Sequence, residues 1–114
     1  MKTNVRVAGT SFHPLPENEY VRVKRTYVFE EIPCADVDAI LMPEPENQYD
    51  PEAVKVLVPL ENGKPFHIGY VPKDVPLKKM IKTPHPAVLM VKNYAMNNPH
   101  YNPSWLITEV TGIL

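Results

Sequence analysis

Apolar and polar residues alternate along most of this chain, which is the period of a β-strand. Val5 and Val7 alternate with polar or small neighbours, and Val54, Val56 and Val58 repeat the pattern on one face of a later segment. By this alternation we place six or seven short strands, at residues 5–10, 20–32, 37–42, 54–58, 66–70, 87–94 and 105–111. The chain is therefore predicted to consist mainly of β-structure.

Proline limits the helical content. Fourteen prolines interrupt the chain, and each removes a hydrogen bond from a helix interior. Only residues 74–82 fit a helix, with Asp74 as its cap and with Lys78, Lys79 and Lys82 facing solvent. Short strands with one small helix predict an all-β protein, built as a closed or partly open β-barrel.

Three turns are predicted from their residues. Asp50 and Pro51 suit the first positions of a tight turn, with the Asp50 side chain as its cap. Asn62 and Gly63 favour a hairpin, whose loop is lengthened by the flanking residues. Gly69, inside a predicted strand, indicates a β-bulge or a close backbone approach.

Length and charge bound the organisation of the chain. With 114 residues, of which 44% are hydrophobic, it fits one domain spanning residues 1–114. The formal net charge is −1, yet residues 32–63 carry seven acids and one base, and residues 64–92 carry six lysines and one acid. This separation indicates either two solvated loop regions or two surfaces of opposite charge.

Cysteine usage and hydropathy predict where the protein works. Cys34 is the single cysteine, so no internal disulfide can form and a reducing compartment fits best. No apolar run approaches the ~20 residues of a membrane span. The N-terminal residues lack the apolar core of a signal peptide. These features predict a cytoplasmic protein without a membrane partner.

Enzyme signatures are weak. Four scattered glycines cannot form a phosphate-binding loop, and Cys34 lies in no context typical of a nucleophile. Glu52 stands three residues before Lys55, which puts the two side chains on opposite faces of a strand and not on the shared face that a nuclease needs. Cys34 and the four histidines lack the paired spacing of a zinc site. We therefore predict a non-catalytic protein with no cofactor and no metal ion.

Three sequence blocks carry a resemblance to a known family. They read Val-Ala-Gly-Thr-Ser-Phe at residues 7–12, Glu-Pro-Glu-Asn-Gln-Tyr-Asp-Pro-Glu-Ala-Val at residues 44–54, and Ile-Gly-Tyr-Val-Pro-Lys-Asp at residues 68–74. In this order they resemble the Val-x-Gly start of the HIRAN domain, its Asn-x-Tyr-Asp-x-x-Ala-[Val/Ile] middle and its Gly-[Tyr/His]-[Leu/Val]-Pro-[Lys/Arg] end. The resemblance covers residues 5–80 and is most specific at its centre.

The resemblance implies a six-stranded, OB-like β-barrel that captures the 3′ end of single-stranded DNA. It implies that Asp50 accepts a hydrogen bond from the terminal 3′-hydroxyl group, that Tyr49 contacts the DNA end beside it, and that Phe12 stacks on a base. Lys73 matches a residue that contacts phosphate. Tyr70 stands where several relatives have a histidine.

Basic residues of the chain are candidates for contacts with the DNA phosphates. Ser11 stands where DNA-binding relatives have an arginine, which weakens the phosphate contact expected there. Arg22, Lys24 and Lys78 are further candidates for phosphate contacts. Such an arrangement makes chemical sense, because a carboxylate repels phosphate but accepts well from a hydroxyl group. An aromatic ring stacks on any base, and lysines add salt-dependent affinity.

The predicted function is recognition of single-stranded DNA at its 3′ end, in DNA repair or replication-fork processing, beside a separately encoded helicase or nuclease. One alternative is a protein-interaction module of the same fold, with a vestigial DNA pocket and an edge strand such as residues 20–29 that pairs with a partner. Another is a small-molecule or oligosaccharide site on the same barrel face. In a purely structural alternative, Tyr49 packs into the core and Asp50 only caps its turn.

Overall fold

The computed structural model of the protein describes residues 1–93 and 104–113. These described residues form seven strands, one short helix and one 3₁₀ turn at Thr10–Phe12. In chain order, the strands and the helix are β1 (Lys2–Arg6), β2 (Arg25–Phe29), β3 (Ile32–Pro43), β4 (Val54–Pro59), β5 (Pro65–Tyr70), α1 (Leu77–Met80), β6 (His85–Lys92) and β7 (Ser104–Val110). The predicted all-β class with a single short helix is confirmed.

All seven strands belong to one antiparallel sheet. Its order is β1-β7-β6-β3-β4-β5, and β2 pairs with β3 outside this path. In the part of the chain described, this sheet is open, so the predicted six-stranded, OB-like barrel is not confirmed. The two edges touch at one isolated bridge, where Ala8 and Tyr70 exchange two backbone hydrogen bonds of 2.8 and 2.9 Å. This bridge ties the segment after β1 to the end of β5.

The hairpin of β2 and β3 differs from the prediction. The single strand expected at residues 20–32 is wrong, because Glu30 and Glu31 both adopt positive φ, 50° and 67°, and reverse the chain there. Two-residue hairpin turns with positive φ usually contain Asn or Gly, so a Glu-Glu pair gave no turn signal. The chain after this turn enters β3, which is 12 residues long and much longer than the six residues predicted.

The core lies on one face of the sheet. In β4 the buried residues alternate with half-buried ones, as the valine pattern predicts. Alternating positions of the neighbouring strands fill the same layer, and the largest fully buried side chains include Leu41, Leu89, Ile107, Val37, Val56 and Val91. The predicted strand at residues 87–94 is confirmed up to Lys92, and its last residue lies outside the described residues.

The helix is shorter than predicted. It forms one turn at Leu77–Met80, and no side chain caps it, so the expected cap by Asp74 is wrong. Ile81 is already extended, because two prolines follow closely and leave no room for a longer helix. Within the described residues, no helix has the length and apolar character needed to cross a membrane.

Gly69 fulfils both parts of its prediction. The register between β4 and β5 shifts by one residue beside it, which is a β-bulge. A Cβ atom at this position would lie 2.3 Å from the carbonyl oxygen of Ala8 and 2.8 Å from Val7 Cγ1. Only glycine therefore allows β5 to approach the segment after β1 closely enough for the bridge between Ala8 and Tyr70.

Candidate nucleic-acid interface

The loop between β3 and β4, residues 44–53, is organised by one side chain. Asn47 Oδ1 accepts hydrogen bonds from the backbone N–H groups of Tyr49 and Asp50, at 2.9 and 3.0 Å. Asn47 Nδ2 donates to Glu44 Oε1 at 3.0 Å. The loop closes where the Glu44 N–H donates to the carbonyl oxygen of Ala53 at 2.8 Å. The short loop is therefore held by its own hydrogen bonds, and its tip is fixed.

Two aromatic rings are presented to solvent. Tyr49 is 99% exposed and Phe12 is 84% exposed, which makes them the most exposed large hydrophobic side chains among the described residues. Phe12 ends the 3₁₀ turn that follows Gly9, whose φ of 74° lets the chain reverse there. The alternative in which Tyr49 packs into the core is wrong. Both rings are accessible to a ligand that stacks on an aromatic face.

Asp50 follows Tyr49, and its carboxylate accepts hydrogen bonds from two donors. Its Oδ1 accepts from the Glu52 N–H at 3.0 Å, which confirms the predicted turn cap. Its Oδ2 accepts from Lys78 Nζ at 2.5 Å. The hydrogen bond from Lys78 is the main cause of a lowered pKa for Asp50. The backbone hydrogen bond from Glu52 and the charges of Lys78 and Lys73 lower this pKa further, and together they outweigh desolvation. The carboxylate is thus ionised at neutral pH, and 29% of its side chain remains exposed.

Lys78 does not face solvent as predicted. Its side chain is only 10% exposed, and its ammonium group lies against the Asp50 carboxylate. Lys78 reaches Asp50 because α1 is a single turn that packs beside the loop of residues 44–53. Lysine and aspartate 28 residues apart give no local sequence signal, so sequence reasoning missed this ion pair. Lys73, by contrast, is exposed, and its charge also acts on Asp50.

A row of contacts joins the loop to the segment that carries Phe12. The Tyr70 hydroxyl group donates to Glu44 Oε1 at 3.0 Å. The Tyr70 ring packs edge-on against His67, with centroids 4.7 Å apart, and His67 stacks on His13 at 4.2 Å. His13 directly follows Phe12. We call this set of residues the contact row; it runs from Phe12 through His13, His67, Tyr70, Glu44 and Asn47 to Tyr49 and Asp50.

Several groups in the contact row have shifted pKa values. Burial and the neighbouring charge of His13 lower the pKa of His67, although its Nε2 lies 2.8 Å from the Gly69 carbonyl oxygen. Burial and the hydrogen bond to Glu44 raise the pKa of Tyr70. Burial opposes ionisation of Glu44, but hydrogen bonds from Asn47 and Tyr70 lower its pKa overall. The Glu44 carboxylate is therefore ionised at neutral pH, and Lys55 Nζ lies 3.9 Å from its other oxygen.

Four members of the contact row were not predicted to act at the site. Glu44 and Asn47 belong to the quoted sequence block but had no role assigned, and the two histidines were treated as ordinary surface or core residues. The recurring Asn-x-Tyr-Asp spacing could have indicated Asn47, because a side-chain amide often holds the backbone two residues ahead in a turn. Nothing in the sequence places His13 against His67.

The other candidate residues divide into two groups. Ser11 is exposed in the same 3₁₀ turn as Phe12, so it lies at the end of the contact row. The Arg22 N–H donates to the Pro59 carbonyl oxygen, at the far end of β4 from the loop. Five residue steps of about 3.3 Å separate the two ends by roughly 17 Å. Lys24 pairs with Asp38 at 3.7 Å and lines a separate surface cleft of about 490 Å³. Arg22 and Lys24 are therefore not part of the contact row.

Metal binding has no support in the described residues. Within residues 1–93 and 104–113, no group of three or more His, Cys, Asp or Glu side chains is placed to hold a metal ion. Cys34 is buried and free in β3.

Comparison with known proteins adds one match. The chain matches the family model of the HIRAN domain over residues 2–81. This range contains β1 to α1 and every residue of the contact row. No curated protein and no solved structure matches the chain. Because the matched residues make up well over half of its length, the chain belongs to the HIRAN domain family, whose domain is known as a DNA-binding module.

Proposed function

We propose that this protein is a non-catalytic binder of single-stranded DNA that recognises the 3′-hydroxyl end. The observation that carries the proposal is the pairing of a 99% exposed ring at Tyr49 with an ionised, partly exposed carboxylate at Asp50. One side chain, Asn47, fixes the backbone of both residues. A base and the sugar that bears it could thus be contacted by two adjacent residues.

Stacking on the exposed rings supplies affinity without sequence preference. Base stacking on an aromatic side chain contributes about 1–3 kcal/mol per base. Two rings, Tyr49 and Phe12, stand at the two ends of the contact row, so two bases of one strand could be held. Because hydrogen bonds already fix the loop of residues 44–53, little ordering entropy is lost when DNA binds.

The Asp50 carboxylate supplies recognition of the end. Each carboxylate oxygen has room for two hydrogen bonds, and each accepts one protein hydrogen bond, from Glu52 and from Lys78. A further acceptor direction remains for a 3′-hydroxyl donor. The Lys78 ammonium group offsets the negative charge that would otherwise repel the last phosphodiester. A 3′-phosphate end cannot donate in the same way and would bring two more negative charges to the carboxylate.

Phosphate attraction is modest in this proposal. Lys73 is exposed near Asp50 and is the proposed phosphate contact. Ser11, next to Phe12, carries no charge, and Lys78 is already engaged with Asp50. Weak electrostatic attraction should make binding depend on stacking and on the hydroxyl contact more than on salt.

Free 3′ ends arise at repair and replication intermediates, so we place the protein in DNA-end processing, in the reducing cytoplasm. A helicase or nuclease on a separate chain would then act on the captured end. The proposal assigns no reaction to this chain itself.

Fluorescence anisotropy with oligonucleotides labelled at the 5′ end tests the proposal. We expect the wild type to bind a single strand with a 3′-hydroxyl group at least tenfold more tightly than the same strand with a 3′-phosphate. Tyr49→Ala should weaken binding of both strands by roughly 5- to 150-fold, the equivalent of one stacked base. Met80→Ala, which truncates an exposed apolar side chain outside the contact row, is the control and should have no effect. Equal affinity for the two ends would refute the role of Asp50.

The Asp50 variant needs a partner substitution. Asp50→Ala alone leaves the Lys78 ammonium group poorly hydrated and without its carboxylate, so it changes the fold as well as the site. The double variant Asp50→Ala/Lys78→Met removes both charges together. It should keep its thermal stability near that of Lys78→Met, bind single strands through the rings, and lose the preference between the two ends.

A further inference from the structure

Strand β2 has a free edge in the part of the chain that the structure describes. It pairs on one side with β3, and no other described strand lies beside it. Its five residues, Arg-Thr-Tyr-Val-Phe, pair with β3 in an unbroken register. An unpaired edge presents backbone N–H and C=O groups to solvent at regular spacing, so it can accept another strand.

The β2 edge is protected only by its short length and by one charged residue, Arg25. It contains no proline, no bulge and no lysine. Four of its five residues are β-branched or aromatic, the types that favour strand pairing. Val28 is 71% exposed and Phe29 is 51% exposed, and because neighbouring strand residues point to opposite faces, each face of the hairpin presents one apolar side chain beside the open edge. Pairing with another strand would cover part of both side chains.

The two ends of β2 carry opposite charges. The residues leading into the strand are basic at Lys24 and Arg25, and the turn that ends it is acidic at Glu30 and Glu31. A strand of this kind complements a second copy of itself, since antiparallel pairing lays the basic start of one copy beside the acidic turn of the other. A partner strand of different sequence would have to reproduce this polarity. We therefore propose that two copies of this protein associate through antiparallel pairing of their β2 strands.

The register follows from the two-fold symmetry of such a pair. With Tyr27 on the two-fold axis, Arg25 lies opposite Phe29 of the other copy, and Lys24 lies beside Glu30. Lys24 reaches this contact by a rotation of its long side chain, which is 58% exposed and lies in the cleft beside Asp38, 3.7 Å away. Arg25 uses only its Nε for Asp36, which leaves the other guanidinium donors free.

The interface is small. Five paired residues give a seam of about 17 Å, well below the extent of a permanent dimer interface. The association is therefore concentration-dependent and reversible. The loop of residues 44–53 follows the opposite end of β3 from the β2 hairpin, so each copy keeps its contact row open. A dimer could then hold two DNA ends.

Sedimentation of the full chain over a concentration series tests the proposal. The mass is expected to rise from 13.0 kDa at low concentration towards twice that value at several hundred micromolar. Lys24→Glu alone and Glu30→Lys alone each place like charges together and should weaken association at least fivefold. An equimolar mixture of these two variants restores both opposite-charge contacts and should associate like the wild type. Lys64→Glu, an exposed charge reversal in another hairpin, is the matched control and should change nothing.

Val28→Ser gives a charge-independent readout, because it removes apolar contact from the seam and should also weaken association. Circular dichroism of each variant checks that the sheet is intact. A chain that stays monomeric throughout the series overturns the proposal. So does a mixture of the two charge variants that associates no better than either one alone.

Discussion

Replacing Gly69 by alanine would test the contact that ties β5 to the segment after β1. The new Cβ atom would lie 2.3 Å from the Ala8 carbonyl oxygen and 2.8 Å from Val7 Cγ1. Ordinary contact between such atoms needs about 3.5 Å, so the two backbone segments must separate by about 1 Å. Backbone atoms cannot rotate away as a flexible side chain would, and the Ala8–Tyr70 bridge must open.

The magnitude follows from what the bridge contains. Its two hydrogen bonds, of 2.8 and 2.9 Å, would lengthen beyond bonding range, at a cost of roughly 1 kcal/mol each. Strain in the displaced segments adds to this cost, and the lower entropy of the unfolded alanine chain offsets about 0.4–1 kcal/mol. The net loss in the free energy of unfolding is about 2 kcal/mol. For a chain of this length, that loss lowers Tm by about 8 °C.

Urea denaturation and amide hydrogen exchange measure this effect, with Gly63→Ala as the control. Gly63 has a φ of 87°, and the nearest heavy atom to a Cβ added there, Arg22 Nη2, would be 4.0 Å away. Its replacement should cost only the left-handed backbone strain, about 1 kcal/mol, and leave the amides of Ala8 and Tyr70 protected. Gly69→Ala should expose both amides to exchange. An unfolding free energy within about 0.5 kcal/mol of the wild type, with both amides still protected, would refute the reasoning.

Three further predictions concern the charges of the site. Lys78→Ala should raise the pKa of Asp50 towards its ordinary value, as followed by NMR titration of the carboxyl carbon, whereas Lys79→Ala on the exposed side of α1 should not. The pKa of His67 is lower in the folded than in the unfolded chain, so the unfolded state takes up a proton first, and stability present above pH ~6.5 should fall as pH decreases below that value. His67→Gln should flatten this decline in denaturation curves, and an unchanged slope would contradict it. Lys73→Ala should reduce the slope of log affinity against log salt by about 0.7, the contribution of one phosphate contact on a single strand; an unaltered slope would exclude Lys73 from that role.

Local chemistry explains which elements were predictable from the sequence. The turns at Asp50 and at Asn62 and Gly63 form as predicted, because each depends on a residue type with a specific backbone or capping preference. The β2–β3 turn was missed because Glu30 and Glu31 adopt a conformation that their type disfavours. Tertiary pairing of two strands imposes that turn.

Long-range contacts account for the rest. The family's sequence blocks indicated Phe12 and Tyr49, which the structure leaves exposed, whereas the helical pattern assigned Lys78 to solvent. Its burial depends on α1 lying against a loop that is 28 residues earlier in the chain. The open sheet with one bridge at its edges is likewise a property of strand register, which alternation alone cannot define. Sequence patterns thus predicted the strands from β4 onward, but they misplaced β1 and the β2–β3 hairpin and did not indicate which strands meet.

Asn47 gives the molecule a chemically vulnerable point. Its amide oxygen serves as acceptor for two backbone groups while its amide nitrogen donates to the Glu44 carboxylate. Hydrolysis of this amide to an aspartate would preserve the acceptor but turn the donor into a second anion facing Glu44. Exchange of this one amide for a carboxyl group could therefore loosen the presentation of both the ring and the carboxylate, without any change in the strands.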